Sequence, residues 1–307
     1  MTTELYRVHR PKRFEDVKGQ DDAVRILTNL VEKKKVPHAI LFSGSSGCGK
    51  TTLARILAKK LGCGKNDFAE INCADFRGIE MVRDIRQRMG LAPIGGKCRV
   101  WLIDEFQSAT KDAQNGILKM LEDTPPHVYF MLATTDPQKL LPTIRTRCTE
   151  VKVSPLTPKV LTTLVETVTS KEGVQLEEEV VERLVEVSEG SARKALVLLH
   201  QIIRIESTED QLNAIVSTDS KRQAIEIARA LINPRAKWSD VSKILKGVED
   251  EPETIRHLVL GYAKSVLLGG GKLTPRAYLI INAFRDNFYD SKHAGLCVAC
   301  YEVCSPK

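Results

Sequence analysis

The chain has 307 residues, of which 42% are hydrophobic and 28% are charged, and its formal net charge is +7. This length fits about two domains, and the apolar share is enough for ordinary hydrophobic cores. No run of 18 apolar residues is present and no apolar run follows Met1, so we expect neither a membrane-spanning helix nor a signal peptide. The modest positive charge permits an anionic partner without requiring one.

Eight cysteines are scattered along the chain, and one of them, Cys48, lies in a glycine-rich loop where a disulfide would be harmful. This distribution is typical of a reduced, cytoplasmic protein. Cys297, Cys300 and Cys304 have the spacing of one helix face. We favour core packing for these three thiols. A zinc site is the alternative, although only three ligands are clustered.

Strand and helix patterns alternate through the first half of the chain. The short runs typical of buried strands are residues 39–43, 68–72, 100–103 and 129–134, and residues 151–153 fit a last strand. Helical patterns lie between these runs, and such alternation predicts a parallel sheet covered by helices. We therefore expect an α/β domain over residues 1–154.

Strand patterns stop after Pro155, and helical patterns continue to the end of the chain. The expected helices are at 158–171, 177–188, 191–205, 208–217, 224–232, 238–245, 253–268, 275–288 and 292–304. We divide this part of the chain into a small helical domain over 155–217 and a second helical domain over 218–307. The helix at 208–217 would connect the two.

Residues 44–51 read G-S-S-G-C-G-K-T and match the phosphate-binding pattern G-x-x-x-x-G-K-[ST]. The loop lies between a predicted strand and a predicted helix, so its backbone N–H groups and the helix N-terminus would face a bound anion. Lys50 would reach the β- and γ-phosphates, and Thr51 would ligate Mg²⁺. A glycine-rich turn without a ligand is the alternative.

The predicted strand at 100–103 ends in Asp104 and Glu105. At the carboxyl edge of the sheet, Asp104 can hold Mg²⁺ directly or through water, and Glu105 can orient and polarise an attacking water. Two solvated acids in a surface turn are the alternative. Because the pair follows Lys50 in the same predicted sheet, the two motifs together indicate an ATPase.

The chain resembles the AAA+ ATPases, and among them the clamp-loader subunits of DNA replication. Residues 10–20, R-P-K-R-F-E-D-V-K-G-Q, are similar to the family's segment beside the adenine pocket. Residues 133–140 resemble the sensor 1 region, 146–148 the Ser-Arg-Cys signature with Thr146 in place of Ser, and 190–196 the sensor 2 helix. The resemblance runs in order through residues 6–200. The remainder matches only in length and helical character.

This resemblance implies an AAA+ α/β domain with a parallel sheet, a small helical lid over 155–217 and an all-helical collar over 218–307. It implies that Thr135 hydrogen-bonds water or the γ-phosphate and that Arg193 contacts the phosphates of its own subunit. Arg147 would neutralise charge at the γ-phosphate of a neighbouring subunit. The alternatives are a strand-end hydroxyl without a role for Thr135, a helix-end charge for Arg193 and a structural ion pair for Arg147.

The ATP-binding residues expected from the loop and from the resemblance come from three segments. They are Arg10, Pro11, Val17, Gly44, Ser45, Ser46, Gly47, Cys48, Gly49, Lys50, Thr51, Thr52 and Arg193. The expected Mg²⁺ ligands are Thr51 and Asp104. We expect no zinc, because the four-cysteine module of the tau/gamma subunits is absent and its region holds only Cys63 and Cys73.

Residues 75–83 resemble a replication factor C segment that lies on a helix beside primer–template DNA. Arg83 and Arg86 fall on one flank of the predicted helix at 79–89, which suits a phosphate backbone, and Arg77 precedes it. A solvated mixed-charge face is the alternative. Lys119 is a further expected DNA contact.

Two residues that flank this lysine on the helix after the acidic pair have an expected coupling role. Gln114 occupies a position thought to connect DNA binding with the geometry of the ATPase site. Glu122 aligns with acidic residues that act on the adjacent subunit's site.

The resemblance implies an ATPase subunit of a pentameric sliding-clamp loader. Its partners would be the clamp, primer–template DNA, copies of itself and one distinct subunit, in the bacterial cytoplasm. The compact layout is closer to replication factor C small subunits or to a phage loader, and a phage-encoded origin fits it. The alternatives are a branch-migration motor, which needs a winged-helix domain with strands, and a silent structural subunit, which would lack Lys50 or the acidic pair.

Overall fold

The computed structural model describes residues 4–75, 78–248, 251–271 and 273–305, with backbone only at 216–222. The chain divides into two compact units, Met1–Arg204 and Ile205–Lys307. No helix in these described ranges has both the length and the apolar character to cross a membrane.

A five-stranded sheet forms the centre of the first unit, and every strand pairing in it is parallel. The strand order is β2-β3-β4-β1-β5. The strands are β1 (Ala39–Ser43), β2 (Phe68–Asn72), β3 (Arg99–Asp104), β4 (Val128–Thr134) and β5 (Thr149–Lys152). The α/β prediction is therefore confirmed. The last strand begins and ends earlier than the expected 151–153, because its ladder pairs Thr149 to Lys152 with β1.

Helices cover both faces of this sheet. They are α2 (Asp21–Glu32), α3 (Lys50–Lys60), α4 (Ile79–Met89), α5 (Lys111–Glu122) and α6 (Pro142–Arg147), and a short helix, α1 (Leu5–Val8), precedes them. Side chains alternate along β1, so Ile40 and Phe42 pack in the core that contains Leu53 of α3. Leu41 points to the opposite core, which contains Ile117 of α5. Burial on both faces explains why β1, β3 and β4 read as continuous apolar runs. The edge strands β2 and β5 are partly exposed, so the expectation of a buried strand at 68–72 was wrong in its burial.

Three further helices complete the first unit. They are α7 (Pro158–Glu172), α8 (Glu178–Val187) and α9 (Ala192–Ile202). Thr157 and Ser191 cap α7 and α9, because their hydroxyl oxygens accept hydrogen bonds from the backbone N–H groups of Val160 and Lys194. Gly173, in the left-handed region, ends α7.

All regular structure assigned to the described residues of the second unit is helical. Its helices are α10 (Thr208–Ile232), α11 (Trp238–Leu245), α12 (Pro252–Gly269), α13 (Thr274–Ala283) and α14 (Lys292–Cys304). The expected connecting helix at 208–217 and the next one at 224–232 form the single helix α10. The expected boundary at 217/218 therefore falls inside a continuous helix, and the contacts divide the chain at Arg204 instead.

A buried ion pair joins two parts of this second unit. Glu253 accepts hydrogen bonds from the Arg256 guanidinium and, at 2.8 Å, from the backbone N–H of Phe288. The Arg256 guanidinium also donates to the carbonyl of Phe284 at 3.1 Å. These bonds hold the pKa of the Glu253 carboxyl below its usual value despite burial. Cys300 is fully buried in the same helical core, and Cys297 and Cys304 are half-buried free thiols.

A second buried ion pair fixes the segment between α4 and β3. Asp67 accepts hydrogen bonds from the backbone N–H groups of Ile94 and Gly95, both at 2.9 Å, and lies 3.3 Å from Arg99. Arg99 also donates to the carbonyl of Arg88 at 2.7 Å. Burial alone would raise the pKa of Asp67, but these N–H groups and the guanidinium hold it below its usual value.

We predict that Asp67→Asn lowers the free energy of unfolding at pH 7 by about 3 kcal/mol, because it leaves Arg99 buried without its counter-charge. The pKa of Asp67 is depressed on folding, so its stabilisation exists above an unfolded value of about 3.9 and is lost as the pH falls through the folded value. The difference between wild type and variant, measured by urea denaturation, should therefore shrink below about pH 4. Asp22→Asn, which breaks an exposed pair with Arg25, is the matched control and should cost under about 1 kcal/mol. Equal losses from the two variants would contradict the assignment.

Candidate ATP-binding and hydrolysis site

The loop between β1 and α3 curls around its own lysine. Gly44, Gly47 and Gly49 have φ values of 148°, 75° and 110°, which other residues rarely adopt. Lys50 is buried, and its Nζ donates to the carbonyls of Gly44 at 2.8 Å and Ser45 at 2.9 Å. Burial lowers the pKa of Lys50, while the carboxylates of Glu105 and Asp104 oppose that shift. The loop therefore holds a positive charge inside a curl of backbone.

The acidic pair stands beside this loop at the end of β3. Thr51 Oγ1 donates to Asp104 Oδ2 at 2.9 Å, and the Glu105 backbone N–H donates to Asp104 Oδ1 at 2.9 Å. Glu105 itself has a φ of 50°, a left-handed conformation that is uncommon for glutamate. A hydroxyl and a carboxylate in contact form the oxygen donor set that Mg²⁺ prefers, so Thr51 and Asp104 fit the ion. Mg²⁺ bound there would offset charge on a triphosphate.

A glutamine not singled out by the sequence connects this pair with Thr135. Gln107 Nε2 donates to Glu105 Oε2 and, at 2.8 Å, to Thr135 Oγ1. Its Oε1 accepts from Thr134 Oγ1 at 2.8 Å and from the Thr135 backbone N–H at 3.3 Å. The acidic pair and the expected sensor are therefore parts of one hydrogen-bonded network. The sequence signal that could have identified Gln107 is a polar residue in the turn directly after two carboxylates.

The α7–α9 helices meet the phosphate loop at the start of α9. The Arg193 backbone N–H donates to the carbonyl of Gly47 at 3.3 Å, and the Cys48 thiol donates to the carbonyl of Gly190 at 3.8 Å. The Arg193 guanidinium carbon lies 5.8 Å from the centre of the Tyr6 ring. The expected sensor 2 arginine therefore lies beside the expected phosphate loop within one unit.

Residues from five segments of the first unit line one open cleft. Of the thirteen expected ATP-binding residues, the cleft is lined by Arg10, Pro11, Val17, Ser46, Gly47, Gly49, Lys50, Thr51, Thr52 and Arg193. The other three face elsewhere: a Cβ on Gly44 would lie 1.9 Å from the carbonyl oxygen of Val153, and the Cys48 thiol is buried. Ser45 contributes the carbonyl that accepts from Lys50.

Several lining and supporting residues were absent from the sequence prediction. Tyr6, Leu156 and Leu164 add apolar surface to the cleft. Buried Gln20 joins the loop to the end of the sheet, because its amide donates to the carbonyls of Cys48 at 3.3 Å and Ser154 at 2.6 Å. These partners are distant in sequence, so no local pattern marks them.

The other expected residues lie outside this lining. Arg147 ends α6, and its guanidinium is 2.6 Å from Glu122 Oε1, with both side chains about two-fifths exposed. Buried Gln114 donates to the carbonyl of Ala109 at 3.3 Å and accepts from the Leu141 backbone N–H at 2.9 Å. It thereby joins the loop after β3 to the start of α6.

The expected DNA contacts lie on helices α4 and α5. Arg83 and Arg86 are exposed on α4, and Arg83 forms an exposed ion pair with Glu80 at 2.9 Å. Lys119 is exposed on α5. Arg77 lies outside the described residues.

The chain is similar to several known proteins. A family model described as DNA polymerase III, delta subunit, matches residues 19–81 and 75–157. The tau subunit of DNA polymerase III from Bacillus subtilis is 36% identical over 65% of this chain and 39% of its own length. The tau subunit from Escherichia coli is 33% identical over 74% of this chain and 39% of its own length.

The chain is therefore related to the tau subunits of DNA polymerase III over 65% to 74% of its length. It spans about two-fifths of the length of these curated relatives. Among solved structures, the Thermotoga maritima RuvB Holliday junction branch migration motor is similar, with a TM-score of 0.57, 22% identity, and coverage of 78% of this chain and 86% of that chain. At that identity, the likeness shows a shared AAA+ fold.

We predict that Gly47→Ala weakens nucleotide binding. A Cβ at Gly47 would lie 2.2 Å from Ser191 Oγ, and displacing that hydroxyl would remove the N-cap of α9. Gly173→Ala is the matched control, because its φ of 72° is nearly the same but no atom lies within 4 Å of the added Cβ. Titration of a non-hydrolysable ATP analogue should show reduced affinity in Gly47→Ala only. Similar affinities for the two variants would show that contact between the loop and α9 does not support binding.

Proposed function

We propose that this chain is an ATPase subunit of a sliding-clamp loader, which uses ATP binding and hydrolysis to open a clamp and place it on primer–template DNA. The observation that carries the proposal is the juxtaposition of Lys50 and Thr51 with the Asp104–Glu105–Gln107–Thr135 network. The relationship to DNA polymerase III tau subunits supports the same conclusion.

Each polar group at the cleft has a distinct part in the proposed hydrolysis. Lys50 neutralises phosphate charge, while Thr51 and Asp104 hold Mg²⁺. Glu105 orients and polarises the attacking water. Thr135 hydrogen-bonds that water or the γ-phosphate. Arg193, held against the phosphate loop through its backbone, contacts the phosphates of its own subunit.

The position of Arg147 supports a site that is completed between subunits. Arg147 does not line the cleft of its own chain, and its partner Glu122 is equally exposed. An exposed pair of this kind contributes under about 1 kcal/mol, so it would give way readily to a phosphate of a neighbouring subunit. We propose that copies of this chain and one distinct subunit form a pentamer. The helices of residues 218–307 would form its collar, and residues 155–217 would form the lid.

The proposed DNA surface consists of Arg77, Arg83, Arg86 and Lys119. Gln114, which joins the loop after β3 to α6, would couple occupancy of this surface to the ATPase site. The partners of the chain would then be the clamp, primer–template DNA and the other loader subunits, in the cytoplasm. Its cofactors would be ATP and Mg²⁺, and it would have no zinc module.

A branch-migration motor is the alternative, and the fold similarity to RuvB favours it. Such a motor needs a winged-helix domain with strands. The regular structure assigned to the described residues after Arg204 is entirely helical. Steady-state ATPase assays with clamp and primer–template DNA, separately and together, distinguish the two functions. Maximal turnover with both supports the loader, whereas stimulation by four-way junction DNA without a response to the clamp supports the motor.

We predict that Lys50→Ala abolishes ATP binding, because the phosphates lose their buried positive partner. Glu105→Gln should keep binding but slow turnover by about 10²-fold, since water is no longer polarised. Lys60→Ala, which removes an exposed lysine from the same helix, is the control and should retain both properties. Equilibrium binding and steady-state hydrolysis measure these effects. Tight ATP binding by Lys50→Ala would refute the assignment of the loop.

We predict that the double variant Arg83→Ala, Arg86→Ala weakens primer–template binding almost equally across sequences and reduces DNA-stimulated ATPase while basal ATPase survives. Phosphate contacts make affinity fall steeply with salt, by about one log–log slope unit per contact. Arg25→Ala is the matched control, because Arg25 is also exposed on a helix and forms an ion pair with Asp22, three residues earlier. Unchanged stimulation at both a low and a high salt concentration would place the DNA elsewhere on the chain.

A further inference from the structure

Gln107 occupies the single 3-10 turn, Phe106–Ser108, that follows the acidic pair. Its side chain spans the ends of β3 and β4, because one end binds Glu105 and the other end binds Thr134 and the Thr135 backbone. The amide also donates to Thr135 Oγ1 at 2.8 Å. Both N–H donors and both acceptor positions of the amide therefore have partners.

These partners fix which way the amide faces. The backbone N–H of Thr135 can only donate, so it requires the carbonyl oxygen of Gln107. The carboxylate of Glu105 can only accept, so it requires the amide nitrogen. A rotated amide would lose both bonds, and Gln107 is therefore a spacer of fixed orientation between two strand ends.

The hydrogen bonds of Gln107 leave one oxygen of Glu105 and the hydroxyl proton of Thr135 able to interact with a ligand. Glu105 lines the cleft near Lys50, and its Oε2 is held by Gln107 while Oε1 has no protein donor among the described contacts. Thr135 Oγ1 accepts from Gln107, so its hydroxyl proton points away from the glutamine and is available to donate. One carboxylate oxygen and one hydroxyl proton are thus oriented by the same amide.

We infer that Gln107 is a positioning residue for ATP hydrolysis, which sets the Glu105 carboxylate and the Thr135 hydroxyl at a fixed separation so that they engage the triphosphate and its attacking water together. This inference rests on the proposed ATPase function. It explains why a glutamine forms four hydrogen bonds at the edge of the cleft without belonging to the phosphate loop or to the acidic pair. Displacement of a reacting group by about 1 Å can slow an enzyme about 10²-fold, so such a spacer has a measurable effect.

The decisive variant is Gln107→Met, which keeps the length and stem of the side chain and removes its hydrogen bonds. Single-turnover hydrolysis by the assembled protein with pre-bound ATP should slow by about 10- to 100-fold, with the Kd for ATP changed by less than about twofold. Gln175→Met, at an exposed loop position, is the matched control and should match wild type. Gln107→Glu keeps the acceptors for Thr134 and Thr135 but loses the donor and adds a like charge beside Glu105, so it should be at least as slow.

A double-variant cycle with Thr135→Val tests whether the two residues act as one unit. If they do, hydrolysis by the double variant should be about as slow as by the slower single variant. Multiplicative losses would show independent roles and overturn the inference. Hydrolysis by Gln107→Met at the wild-type rate would also overturn the inference. A loss of ATP affinity and thermal stability in Gln107→Met, alongside the loss of hydrolysis, would overturn it too, because it would show that the network is structural. If wild type itself does not hydrolyse ATP, the proposed function fails instead.

Discussion

The parallel register of β3, β4 and β1 is the constraint on which the site depends. Ser43 pairs with Thr134, and Ile103 pairs with Leu132, so the ends of three strands reach the same edge. The first residue of the phosphate loop continues this ladder, because the Gly44 backbone N–H donates to the carbonyl of Thr134 at 3.2 Å. Loops after parallel strands meet at this edge, where α/β proteins bind ligands.

A second contact, between the phosphate loop and the α7–α9 helices, shapes the cleft. Gly47 lies so close to Ser191 that only a glycine fits, and its carbonyl accepts from the backbone of Arg193. The same backbone segment that would bind phosphates thus positions the helix that carries the arginine. We therefore expect nucleotide binding at this loop to depend on the placement of these helices.

The sequence predicted the features that local patterns encode. Apolar runs located β1, β3 and β4, and shorter strand patterns located the edge strands β2 and β5. The glycine loop and acidic pair located Lys50, Thr51, Asp104 and Glu105. Gln107, Gln20 and Tyr6 were missed because their partners come from strands and helices far away in sequence. Helical periodicity continues through residues 217 and 218 in α10, and the division into a lid and a collar at that point stays a prediction. Roles that require a neighbouring subunit, such as that of Arg147, remain predictions.

The most direct test of the account is subunit mixing. Arg147→Ala subunits keep an intact phosphate loop, and Lys50→Ala subunits keep an intact arginine. If Arg147 acts on the neighbouring site, each variant alone should be nearly inactive, and mixtures should recover part of the clamp- and DNA-stimulated ATPase at interfaces that pair the two intact elements. No recovery at any mixing ratio, while both variants still assemble, would contradict the proposal that the site is completed between subunits.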